Sequence, residues 1–163
     1  MIRFLPAEFF RWCSNTALAQ AVAKSMWGFA IIETLHIIGL TMLLGSIFVL
    51  NLRVLGYGAK QPAAQLAKDV LRWALAGFVL IIGTGVVMFM SAATTYMGSD
   101  PFAIKLGLLI LAIVAQVTMH KIPGMYAGTA AGKIMACLAL LCWFGVAYAG
   151  RGIAFDVLLN PLE

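Results

Sequence analysis

Residues 27–50 read WGFAIIETLHIIGLTMLLGSIFVL, an apolar run whose ionisable members are Glu33 and His36 alone. About 20 such residues suffice to cross a hydrocarbon core of about 30 Å as a helix. Three further runs follow, at about 71–92, 102–119 and 134–149; the last is short, but the preceding GTAAG can extend it. Each boundary carries turn chemistry: YGAKQP after the first run, YMGSDP between the second and third, KIPG after the third and AGRG after the fourth. Asp100 followed by Pro101 reads as a helix start, and Pro123 with Gly124 as a stop.

Composition agrees with this reading. The chain has 163 residues, 63% of them hydrophobic and 10% charged, with a mean hydropathy of +1.00, well outside the range of a soluble globular domain. The runs lack the alternation of membrane barrel strands. The expected fold is all-α, a four-transmembrane-helix bundle forming a single membrane domain over residues 1–163. Ahead of it, Pro6 to Met26 mixes Phe9, Phe10, Trp12 and Leu18 with Arg11, Asn15, Gln20 and Lys24, the pattern of an amphipathic helix lying in the membrane interface. Glu8, Arg11, Ser14 and Asn15 interrupt the continuous core that a cleaved signal peptide needs, so the segment is expected to be retained.

A net charge of +5 could indicate a nucleic-acid partner, but the basic residues are scattered singly at the edges of apolar runs. They read instead as topology signals and lipid anchors. Arg53, Lys60, Lys68, Arg72, Lys121 and Lys133 fall on one side; Arg3, Arg11, Lys24, Lys105 and Arg151 fall on the other. Counting basic residues puts the first side in the cytoplasm and both termini in the periplasm of a bacterial inner membrane. Cys13, Cys137 and Cys142 form no CxxC pair and read as packing residues.

An ionisable group within a span costs about 2.5 to 3.5 kcal/mol on insertion scales and is a functional candidate by default. Glu33 and His36 share one helical face, so the carboxylate could accept a bond from one imidazole nitrogen and leave the other free to ligate a metal or haem iron. The same spacing occurs in di-iron bundles, but the other acids here lie at loops and ends, which excludes such a site. His36 lies roughly 13 Å along the helix from Trp27, in the outer half of the membrane. His120 falls roughly 27 Å from Phe102, near the opposite face. The two histidines should therefore not clamp one iron within a subunit. Met88 and Met90 are candidate soft ligands at the depth of His36, for haem or for copper. Gly39, one turn from His36, could admit a flat macrocycle or a neighbouring helix. Arg53 and Arg151 are candidate partners of haem propionates, and Arg53 is equally a helix anchor. His120 reads as the ligand of a separate second haem or metal, or as an interfacial histidine.

Around SMWGFAIIETLHIIGLTMLLGSIFVLNLRVLG the chain resembles a bacterial inner-membrane family of unknown function. That family's first span carries Trp, then Glu-x-x-His-x-x-Gly, a small-residue turn and Asp-Leu-Arg-x-x-Gly. The matching positions are Trp27, Glu33, His36, Gly39, Gly45, Arg53 and Gly56, with Asn51 standing where the aspartate is usual. The layout is more distantly similar to the copper-resistance membrane family and the membrane oxidase of the haem pathway, in which first-helix histidines are linked to copper or haem. The resulting expectation is a b-type haem protein of the membrane with one or two haem sites, serving transmembrane electron transfer with a redox partner. Copper binding and a cofactor-free structural subunit are the alternatives. Small residues along several spans make a homo-oligomer an expected state.

Overall fold

A computed structural model of the chain describes residues 6–58, 60–96 and 99–159, the side chains of 154–159 excepted. Arg3, one of the basic residues counted for topology, lies outside the described residues, as do Glu163 and the side chain of Asp156. The described residues are helical and contain no strand: α1 (Ala7–Ser14), α2 (Ala17–Lys24), α3 (Gly28–Leu55), α4 (Ala63–Ser91), α5 (Asp100–Lys121) and α6 (Ala130–Leu159). Short 3-10 turns at Ala93–Tyr96 and Met125–Ala127 complete the connections. Four helices, α3 to α6, are long and apolar enough to cross a membrane, and this is a multi-pass membrane protein. In their most apolar windows only 28, 17, 11 and 28% of the residues are buried inside the protein, which leaves most of the apolar surface for lipid.

The helix ends follow local chemistry. At α3 the stop is Gly56, whose φ of 105° is open to glycine at little cost. There the Gly56 and Tyr57 amides return to the Arg53 and Leu52 carbonyls. The helix thus runs past Asn51 and Arg53, five residues beyond the end of the apolar run at Leu50. α4 begins at Ala63 rather than about Leu71, because the segment with Gln65, Lys68 and Asp69 continues the helix as a polar overhang that hydropathy does not register. At α5 the cap position falls on Ser99, and Asp100 is a first-turn acid ahead of Pro101. α6 begins at Ala130, within the GTAAG segment.

The amphipathic N-terminal segment is two short helices, not one. Thr16 divides them: its hydroxyl donates to the Cys13 carbonyl at 2.9 Å and accepts from the Ala19 amide at 3.3 Å, capping α2. α1 buries Phe10 and Cys13 while Phe9 and Trp12 stay exposed. Phe10 meets Phe89 of α4 edge-on at 6.1 Å between ring centroids. The segment therefore covers the membrane face that also carries the α4–α5 connection, here termed the terminal face. The opposite, loop face carries the α3–α4 and α5–α6 connections.

The four spans form two antiparallel hairpins, α3 with α4 and α5 with α6, joined mainly through α3 against α6. α4 and α5, although consecutive, scarcely meet. Leu43, Ile47, Ile81, Ala112 and Trp143 form the central core. Val54, Ala115, Met119, Ala136 and Ala139 form another layer toward the loop face, with alanines admitting the close approach of α5 and α6.

Candidate functional site

The site is built around a crossing of α3 and α4. A β-carbon on Gly77 would stand 2.7 Å from both the Gly39 carbonyl oxygen and the Leu43 amide nitrogen, so backbone meets backbone there. Gly39 is closed in turn by Ile81 and the Gly77 carbonyl. Gly39 thus serves the helix crossing. In an antiparallel pair, one turn back along α3 faces one to two turns forward along α4, and that geometry brings His36 to Thr84 and Gly85.

His36 Nδ1 lies 2.9 Å from Thr84 Oγ1. The Thr84 hydroxyl has a single proton, and its closest acceptor is the Leu80 carbonyl at 2.6 Å. With that proton committed, Nδ1–H is the donor and Thr84 Oγ1 the acceptor. That arrangement puts the protonated ring nitrogen toward α4 and leaves Nε2 with its lone pair. Gly85 supplies the room: a β-carbon there would come within 3.4 Å of His36 Cε1.

Glu33 and His36 share a face, yet no hydrogen bond joins them among the described residues. Thr84 holds the position expected of the carboxylate. Glu33 is exposed, and its charge acts on Tyr96. Tyr96 stacks with both Phe89 and Phe102 at interplanar angles of 12° and 16°, and those two rings also stack on each other at 5.5 Å. Burial first, and the Glu33 charge second, push its phenol above the ordinary value of 10.0.

Lys105 enters the site from α5. Its ammonium acts electrostatically on His36, and its Nζ lies 3.3 Å from where a Gly150 β-carbon would stand. In the sequence it reads as one more topology charge; the glycine on α6 lets it fold inward. Arg151 follows Gly150 with an exposed side chain. Lys105 and the backbone of α6 thus border the His36 site from the second hairpin.

The remaining candidates separate. Met88, half-buried, lies one turn beyond Thr84 on the same face of α4. Met90 is packed against the Phe10, Cys13 and Ala93 cluster. His120 is exposed at the loop face with its ring 6.4 Å from that of Tyr126. Eight residues separate His36 from the start of α3, about 12 Å of helix, whereas His120 lies about 30 Å from the start of α5. The two histidines belong to different sites. Arg53 Nε donates to the Gln61 carbonyl at 2.7 Å, fastening the α3–α4 loop. Among the described residues no cluster of three or more His, Cys, Asp or Glu side chains could hold a metal ion.

One polar pair went unrecognised in the sequence. Asn51, fully buried, donates from Nδ2 to Gln116 Oε1 at 3.2 Å, linking α3 to α5. A polar residue within a few positions of the end of an apolar run, such as Asn51, was the available signal.

The chain belongs to a family of unknown function, DUF6644, whose model matches residues 9–156. No curated protein and no solved structure matches it.

Proposed function

We propose that the His36 site binds a b-type haem, with Nε2 of His36 as an axial ligand, and that the protein serves membrane redox chemistry. The observation that carries this reading is the hydrogen bond of Nδ1 to a threonine whose own proton is committed elsewhere. A ligating histidine needs its second nitrogen held in this way. The surrounding residues also fit a haem better than a bare ion. A copper site would draw two or more ligands from the protein, and only Met88 stands near enough on α4 to join His36. A porphyrin brings four nitrogens of its own and asks the protein for one or two. Lys105 offers positive charge of the kind that propionates require.

A bound haem would supply a one-electron couple in the half of the membrane nearest the terminal face. The chain's own part would be to orient the imidazole through Thr84, to seat its ring over Gly85 and to set the local field through Lys105. His120, on the loop face, is the candidate for a second centre. With one centre at each depth, electrons could cross between faces of a bacterial inner membrane whose periplasmic side is the terminal face.

A second reading rests on the same bond. His36 and Thr84 connect α3 to α4, and an interhelical hydrogen bond in a membrane is worth about 0.6 kcal/mol on average. In that case the pair fastens helices and holds no cofactor. The visible spectrum of the purified protein separates the two. A Soret band that shifts on reduction supports haem; a colourless protein without metal supports the fastening role, and a colourless protein with stoichiometric copper supports neither.

A further inference from the structure

A second site, apart from His36, lies where α4 and α5 draw apart below the Phe89–Phe102 stack. The gap is an apolar cleft of about 320 Å³ with Leu75 and Phe78 of α4 on one wall, Ile113 and Val117 of α5 on the other, and Trp143 of α6 at its floor. It ends at His120, Lys121 and Tyr126, level with the loop face. His120 and Tyr126 also border a vestibule of about 720 Å³ outside the span, which takes in Arg53, Lys60 and Lys133.

The two spaces differ in character and share an edge. The cleft is lined almost wholly by carbon, while the vestibule has cationic side chains and no acid among its lining residues. Asp69, the nearest acid in the same overhang of α4, accepts from Gln65 at 3.2 Å. Arg53 is held at the rim by its bond to Gln61, so its charge has a fixed place. Gln116 lies between the two regions on the cleft wall; its carbonyl oxygen is used by Asn51, and its NH2 group is the one left for a ligand.

We infer that this cleft and vestibule together bind one anionic phospholipid, with an acyl chain along the α4–α5 gap and the headgroup phosphate among Arg53, Lys60, Lys121 and Lys133. Charge complementarity selects this occupant over a neutral lipid. A basic pocket at the headgroup level between transmembrane helices has no other charge to neutralise it. The apolar cleft selects a chain-bearing ligand over a free phosphate.

Trp143 makes the test direct, because its indole forms the cleft floor and is 2% exposed. A variant with Trp12, Trp27 and Trp73 replaced by Phe leaves Trp143 as the sole indole. It is reconstituted into phosphatidylcholine vesicles containing a minor fraction of phosphatidylglycerol, with bromine on the chains of one lipid or the other. The expected result is a preference of brominated phosphatidylglycerol over the brominated neutral lipid of more than about tenfold in quenching Trp143, each basic side chain at the headgroup being worth about fivefold. K60Q/K121Q/K133Q should lower that preference to the about fivefold that Arg53 alone sustains, whereas R11Q, on the terminal face, should leave it unchanged. Quenching by both lipids in proportion to their abundance, or a preference untouched by the triple substitution, would overturn the assignment. Native mass spectrometry of the protein with all four tryptophans gives a second readout. Phosphatidylglycerol adducts should survive release from mixed-lipid micelles and be sharply reduced in the triple variant; equal retention of both lipids would contradict the inference.

Discussion

Thr84 decides what His36 can do. Its hydroxyl bonds back to Leu80 within α4, as serine and threonine commonly do in membrane helices, and its oxygen then remains to receive a proton from across the interface. Thr84→Val keeps the shape of the side chain and removes that oxygen. It should lower haem affinity by about ten- to a hundredfold, the usual cost of losing the group that orients a ligating histidine, while the far-ultraviolet circular dichroism stays unchanged. A haem titration of the apoprotein measures it, and wild-type affinity in the variant would remove Thr84 from the account. His36 was legible in the sequence because an ionisable residue stands out in an apolar run. Thr84 was not, since a threonine in a membrane helix has a local acceptor of its own and gains meaning only from what lies opposite. The place of Lys105 beside Gly150 is illegible for a related reason: a lysine near a helix end suits a topology charge, and only a glycine on another helix lets it turn inward.

The elements hold these residues in place through one close crossing. Gly77 meets the backbone of α3 at Gly39 and Leu43, where even a methyl group has no space. Gly77→Ala should therefore part α3 from α4 locally, destabilise the hairpin by about 1 to 3 kcal/mol, and weaken any chromophore by drawing Thr84 from His36. Thermal unfolding followed with the visible spectrum tests both effects together; a variant as stable as wild type would contradict the crossing. The existence of the four spans was readable because their apolar runs exceed the length a bilayer demands. Their ends were less so. α4 starts in a polar overhang, and the N-terminal amphipathic helix breaks where Thr16 caps its second half, both features that depend on hydrogen bonding rather than on hydropathy.

At the scale of the molecule, two hairpins joined through α3 and α6 carry different chemistry on the two membrane faces. The terminal face has His36, Lys105, Glu33 and the Phe89, Tyr96 and Phe102 stack; the loop face has the basic vestibule. Tyr96 couples the terminal face to pH. Its phenol ionises above the ordinary 10.0 because burial and the Glu33 charge both oppose the phenolate. A group whose value is raised on folding stabilises the protein below its unfolded value, and that contribution is lost as pH rises through the folded one. Stability should thus fall above about pH 10, and Tyr96→Phe should lessen the fall; denaturation across that range, with phenolate absorbance followed in parallel, checks it. An alkaline loss identical in wild type and variant would show that another group is responsible.

The central claim is that Nε2 of His36 ligates haem iron, and the visible spectrum of the purified His36→Ala protein beside that of wild type tests it most directly. The account predicts a Soret band in wild type that moves on reduction, and its loss in His36→Ala at unchanged helical content. Any spectral share due to a second centre should vanish in His120→Ala instead. Full retention of the wild-type spectrum in His36→Ala would contradict the claim.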